Sequence, residues 1–353
     1  MNKTLSAAIA LAAVASFASC TSENNAVADF ENTQAQTETV TFTTTLPSSV
    51  SSRAAESTTY GDGTKATTLY YAVYAVTETE EATTKALVLT NYGKKGDDCY
   101  EEDAVTFSNR TATVTMSLAT GKTYEVAFWA QSPKATCYSL NTKTGVITVN
   151  YTNMLCNDDN VDAFYASTKV TFGSASTAHS VTLHRPFAQL NIGITDAEEA
   201  LAKGLDVEKS QISIFGVCNE LNLLTGAASG FASATYGYNV IPEDQVGAGV
   251  FPAKENGNYV DAEYSAMAYI FVASKTTLDI QYNYVDKSGN ALSMYDVHYL
   301  HNVPFEPNHR TNIYGDMLMA DEQTWTIKID QSFIDPSYDN IYDEGDDVSE
   351  DED

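Results

Sequence analysis

Few side chains in this sequence are of a type and spacing that could do chemistry. Five histidines serve 353 residues, a thin supply of general bases. The densest group is Asp296-Val297-His298-Tyr299-Leu300-His301, with His309 nearby. On a strand, Asp296 and His298 share a face while His301 points away, so the pattern predicts a half-exposed strand and no metal ligands. Asn157-Asp158-Asp159-Asn160-Val161-Asp162 places oxygen ligands at alternate positions, as a calcium loop would, but lacks the central Gly and bidentate Glu of an EF-hand. A turn whose Asn and Asp side chains bond the local backbone accounts for the same residues. The P-loop, GxGxxG, GxSxG and HExxH patterns are all missing. The sequence therefore assigns no catalytic, cofactor-binding or metal-ligating residue, and the chain reads as a non-enzyme.

Two other residues invite covalent chemistry. Lys3 and the apolar run Leu5 to Phe17 read as an export signal, since the run is well short of the roughly twenty residues that span a bilayer. It ends Phe17-Ala18-Ser19-Cys20, which resembles the lipobox of bacterial lipoproteins despite Phe17 in place of the usual Leu. That resemblance implies a diacylated Cys20 as mature N-terminus, and two acyl chains hold a protein stably at a membrane. Arg53 is the one basic residue between Lys3 and Lys65. It offers a trypsin-like protease a single site, Arg53-Ala54, although spacing alone fits a solvated linker arginine equally well. Cys99, Cys137, Cys156 and Cys218 show neither metal-site spacing nor a disulfide framework, and are expected to be mostly buried thiols.

A net charge of -28 argues against nucleic acid and anionic membrane surfaces, which are held by Lys and Arg clusters. Twenty-two tyrosines, with Trp129 and Trp325, suit either an aromatic platform for a glycan or the half-wet faces of strands.

The elements are strands. Ala112-Val114-Met116-Leu118 alternates with polar residues, turns at Thr120-Gly121-Lys122 and continues as Tyr124-Val126-Phe128, a hairpin pattern. Leu69 to Val76, Val146 to Tyr151, Phe164 to Phe172, Val181-Leu183, Ala188 to Ile194, Ile212 to Val217, Met267 to Phe271, Leu278 to Tyr284 and Trp325 to Ile329 are strand-like too. One helix is expected at Ala197 to Lys203, with Thr195 and Glu198 as a capping box and Gly204 as its stop. The fold class is all-β: two antiparallel β-sandwich domains in series, transthyretin-like or Greek-key, with one short connecting helix. The expected boundaries are 1–20 for the lipoprotein signal peptide and 21–57 for a tether. Sandwiches follow at 58–176 and 177–334, meeting near Ser174 to His179. The remainder, 335–353, is an acidic disordered tail, in which ten Asp and Glu residues occur without Lys or Arg. Within the tether, Glu38 to Leu46 has the period-2 alternation of a half-buried strand, with Val40, Phe42, Thr44 and Leu46 on one face.

With the lipobox and the Ser-Arg-Ala stretch at Arg53, two further segments resemble the fimbrillin-type lipoproteins of the Bacteroidales, subunits of surface pili. They are His184-Arg185-Pro186-Phe187-Ala188-Gln189-Leu190-Asn191-Ile192 and Asn308-His309-Arg310-Thr311-Asn312-Ile313-Tyr314-Gly315-Asp316. The resemblance implies a lipid-anchored precursor at the cell outer membrane that a trypsin-like protease cuts after an Arg. The first strand is then removed, and a neighbouring subunit fills the groove by strand addition. It implies a removable strand carrying Val40, Phe42 and Leu46, and partners that are other fimbrial subunits, with a host glycan or protein as receptor. The segment carrying Trp325, Ile327 and Ile329 fits either a donated strand or the last strand of its own sandwich, and beyond it Pro336 interrupts an increasingly acidic stretch. Stalk, tip and accessory positions all stay open. The competing expectation is a monomeric surface lipoprotein that binds glycans or adheres alone.

Overall fold

Strands form where apolar and polar residues alternate, or where Val, Ile and aromatic residues run together. In the computed structural model the described residues are 36–47, 60–101, 105–173, 177–204, 209–242, 251–255, 258–285, 298–318, 324–330 and 339–340. The expected signal segment, Cys20, Arg53, Ala54 and Asp296 lie outside them, as does the expected acidic tail apart from Asp339 and Asn340.

The first half contributes β1 (Thr37–Thr45), β2 (Thr68–Glu78), β3 (Thr83–Thr90), β4 (Val105–Thr106) and β5 (Thr111–Ala119). It continues with β6 (Thr123–Gln131), β7 (Tyr138–Asn141), β8 (Val146–Val149), β9 (Ala163–Thr171) and β10 (Ala178–Thr182). One sheet runs β10-β1-β5, and a second runs β3-β2-β6-β9 with β4 also on β2. Val40, Phe42, Val114, Met116 and Leu118 of the first sheet share a core with Val73, Val126, Phe128 and Phe164 of the second.

The second half supplies β11 (Phe187–Ile194), α1 (Ala197–Ala202), β12 (Lys209–Val217), β13 (Glu220–Asn222), β14 (Ala228–Ser229) and β15 (Ala232–Val240). After these come β16 (Lys254–Glu255), β17 (Asn258–Tyr259), β18 (Glu263–Phe271), β19 (Thr276–Val285), β20 (His298–Phe305), β21 (Arg310–Asp316), β22 (Thr324–Asp330) and β23 (Asp339–Asn340). Its sheets run β18-β11-β21-β22-β23 and β15-β12-β19-β20, with Leu190, Ile192, Met267, Ile212, Ile214, Ile280 and Tyr282 in one core.

The all-β class with one short helix holds, and three features differ from the sequence-based reading. First, β1 with β10 and β11 with β21 are parallel pairs, so the sheets are mixed. Second, the 176/177 boundary does not separate the sheets. Strand β10, assigned to the second domain, pairs with β1 in the first. Strands β13 and β14 complete a four-stranded sheet with β7 and β8, so Leu221 joins Ile147, Val149, Ala127 and Trp129 in the larger core. The reason is burial: β6 is covered on both faces, and its second face needs apolar cover from beyond residue 176. Third, Thr195 does not cap α1. Asp196 is the N-cap residue and makes no side-chain cap bond. Its carboxylate instead accepts from the backbone N–H of Met317 (3.1 Å) and Leu318 (2.9 Å), while the Thr195 hydroxyl donates to Asp316. Both side chains fasten the helix start to the end of β21.

Candidate functional site

Strand β1 is the middle strand of its sheet. On one side it pairs antiparallel with β5, from Thr37 opposite Ala119 to Thr45 opposite Thr111; on the other it runs parallel to β10, Thr41 opposite Ala178 to Thr45 opposite Thr182. Val40, Phe42 and Thr44 are 0% exposed and Leu46 is 2% exposed. The Phe42 ring lies 5.7 Å from that of Phe128 and stacks at 5.3 Å on His179. Thr44 is the polar member of the inward row, and its hydroxyl donates to the Ala112 carbonyl at 3.1 Å. Each fully buried Phe or Leu side chain contributes about 1.5–3 kcal/mol. Taking β1 away would expose an apolar slot flanked by two unpaired backbone ladders, and such edges capture extended chains.

The chain that follows β1 is held by arginines at Pro47 and again at Tyr60 to Asp62. Three successive carbonyls each accept from a different guanidinium: Tyr60 from Arg310 Nη2 (3.1 Å), Gly61 from Arg185 Nη2 (2.8 Å) and Asp62 from Arg110 Nη1 (2.7 Å). Arg110 also donates through Nη2 to the Pro47 carbonyl. Arg185 is buried and forks onto Asp162, Nε to Oδ1 at 2.6 Å and Nη2 to Oδ2 at 2.7 Å, with its guanidinium 4.6 Å from the Phe164 ring centre. Arg310 donates to Gln189 Oε1 at 3.0 Å. Asp159 accepts from Gly61 N (2.9 Å) and the Tyr269 hydroxyl (2.5 Å). Burial, then the neighbouring Asp162, pushes the Asp159 carboxyl up to about 7, against those two hydrogen bonds.

Arg185 and Arg310 belong to the two segments singled out in the sequence, and the structure brings them together on the same short stretch of backbone. The Asn157–Asp162 segment is the turn expected of it: Asp158 accepts from Asn160 N, and Asn157 donates to Ser210 and Asn239 O and accepts from Met267 N. These bonds tie the first sandwich to the second. The sequence marked these segments singly but not that they meet, because isolated buried charges have no periodicity.

The other residues considered above fall elsewhere. Trp325, Ile327 and Ile329 lie on β22, which pairs with β21 and β23 inside the second sandwich, and Ile327 packs against the main core. His298 starts β20, exposed His301 lies 3.4 Å from Asp279, and His309 Nδ1 is 2.8 Å from the Pro307 carbonyl. Among the described residues no three His, Cys, Asp or Glu are grouped to hold a metal ion, and no helix is long and apolar enough to cross a membrane. Cys137, Cys156 and Cys218 are buried thiols, and Cys99 is half-buried. Tyr74, Tyr236, Tyr269 and Tyr282 fill the interior, so most aromatic rings near the sheets are structural.

Fold and site together define a class: a double β-sandwich whose leading strand is inserted between two sheet edges, with a following segment held by arginines. The chain belongs to the family of unknown function DUF6562, whose model matches residues 32–348 and so takes in both sandwiches and β1. No curated protein matches its sequence. Similar solved structures include a candidate cell adhesion protein from Bacteroides ovatus, at 12% identity and TM-score 0.45, covering 85% of this chain and 99% of that one. A fimbrial assembly protein from Parabacteroides distasonis aligns at 11% identity and TM-score 0.39, covering 84% and 96%. A candidate polysaccharide-binding protein from Bacteroides thetaiotaomicron aligns at 8% and 0.44, covering 87% and 98%. Identities and scores this low transfer neither a ligand nor a partner.

Proposed function

We propose that this protein is a lipid-anchored precursor of a cell-surface fimbrial subunit, assembled when a trypsin-like protease cuts after Arg53 and β1 is exchanged for a strand of another subunit, so as to support adhesion. The observation that carries the reading is the placement of β1. It is bonded along both edges and sends Val40, Phe42, Thr44 and Leu46 into the core, yet only one covalent path joins it to the rest of the fold. That path runs through the segment holding the one basic residue between Lys3 and Lys65. A cut there turns an intramolecular strand into a replaceable one, and strand addition repairs both the ladder and the slot. Cys20 would hold the precursor at the outer membrane until the cut releases it.

Replacing Arg53 by Ala tests this. Cells making Arg53→Ala are expected to keep an uncut, Cys20-acylated monomer, whereas the native protein begins at Ala54 and runs as detergent-stable ladders on unboiled gels. Normal ladders from Arg53→Ala would overturn the proposal.

A further inference from the structure

Arg110 sits in an unusual place. It and Asn109 have positive φ, 64° and 49°, in the two-residue turn between Ser108 and Thr111, whose backbones bond each other at 2.9 and 3.0 Å. Such turns usually hold Asn-Gly, because a bulky side chain resists φ above zero. An Arg kept there points to a task for its side chain. Among the described residues its guanidinium hydrogen-bonds two backbone carbonyls: Nη1 bonds Asp62 O on the retained side and Nη2 bonds Pro47 O at the end of β1. The carboxylate of Asp62 is turned into its own loop, accepting from Thr64 N at 2.8 Å and Thr64 Oγ1 at 2.7 Å. Nε of Arg110 is buried and has no hydrogen-bond partner among the described residues.

Nε and Nη2 form the side-on edge of a guanidinium, the edge Arg185 uses to grip both oxygens of Asp162. In Arg110 a single carbonyl occupies half of that edge. When β1 leaves, Pro47 O leaves with it, and Nη2 loses the acceptor that Nε already lacks among the described residues. A backbone carbonyl satisfies one of them; a carboxylate satisfies both, with charge assistance. Resting on the strand-exchange reading above, we infer that Arg110 makes the groove selective for an incoming strand that carries an Asp or Glu immediately after its last inward apolar residue, the place Pro47 holds after Leu46. The partner is thus an extended peptide of alternating apolar residues ending in an acid, and Arg110 is a specificity-determining residue.

The test uses the full chain cut after Arg53 and a fluorescent peptide of residues 37–47, with Pro47→Asp and Pro47→Asn versions, uptake being read by anisotropy. The Asp peptide is expected to bind roughly three- to fivefold more tightly than the Asn peptide at low salt, with the gap closing as salt rises. In Arg110→Gln the gap is expected to vanish, and in Arg110→Lys to shrink, since a lysine keeps charge but loses the fork. Equal uptake of the two peptides by wild type, a gap insensitive to salt, or the same gap in Arg110→Gln would each overturn the inference while leaving the groove itself standing. If no peptide enters at all, the strand-exchange reading fails and this inference goes with it. The salt series needs only the wild-type protein, so the inference stays testable should Arg110→Gln not fold.

Discussion

At the scale of single residues, the junction under Tyr60 and Gly61 is the place where charge and burial conflict. Arg185 and Asp162 satisfy each other, but Asp159 is buried beside Asp162 and its carboxyl is pushed up to about 7. Unfolded, an Asp titrates near 4. Between those values the folded chain keeps the proton and the unfolded chain loses it. Folding therefore takes up a proton, and stability falls as pH rises from about 4 to about 7 and is flat above that. Asp159→Asn keeps an acceptor for Gly61 N and the Tyr269 hydroxyl without the charge. It is expected to be more stable than wild type at pH 8 and to lose this part of the pH slope. Urea midpoints at pH 5 and 8 for both proteins check it, and parallel pH dependences would refute it.

At the scale of elements, β1 joins two opposed properties, complete burial of its inward side chains and attachment at one end only. Phe42 is its largest anchor, touching Phe128 and His179. A Phe-to-Ala change in a core removes about 3–5 kcal/mol, so Phe42→Ala is expected to let the cut strand leave far faster than wild type. Mass spectrometry of the protein peak after cleavage and gel filtration measures the retained strand, and equal retention would show that Phe42 does not hold it. This strand was legible because Thr alternates with Val, Phe and Leu, and the β5–β6 hairpin was legible for the same reason. Its partner β10 was not: Thr41 meets Ala178, 178 − 41 = 137 residues away, and no local pattern encodes so distant a pairing. The helix cap was misread because Thr195 and Asp196 both suit an N-cap, and the tertiary bonds to Asp316, Met317 and Leu318 decided between them.

At the scale of the whole molecule, the two halves are interlaced. Strand β10 completes the first sheet, and β13 with β14 covers the back of the second. A fragment ending at residue 176 would lack Val181 and Leu183 from one core and Leu221 from the other, and would leave β1 with one edge unpaired. Residues 36–176 alone are expected to show no cooperative thermal transition by circular dichroism, whereas 36–334 should melt in one. A sharp transition from the shorter fragment would mean that the first sandwich is autonomous.

The flanking of β1 on both sides also has a mechanical side. Tension applied at Gln36 away from the body of the protein pulls β1 lengthwise, so its bonds to β5 and β10 are sheared together and not peeled one after another. In an intact chain the same pull continues through Pro47 into the body of the protein, and Arg110, bonded to the carbonyls of both Pro47 and Asp62, ties the two ends of the intervening segment across its base. Once that segment is cut, no covalent path remains. A strand that behaves as a tie under tension in the uncut chain then becomes the one part that a pull can draw out whole.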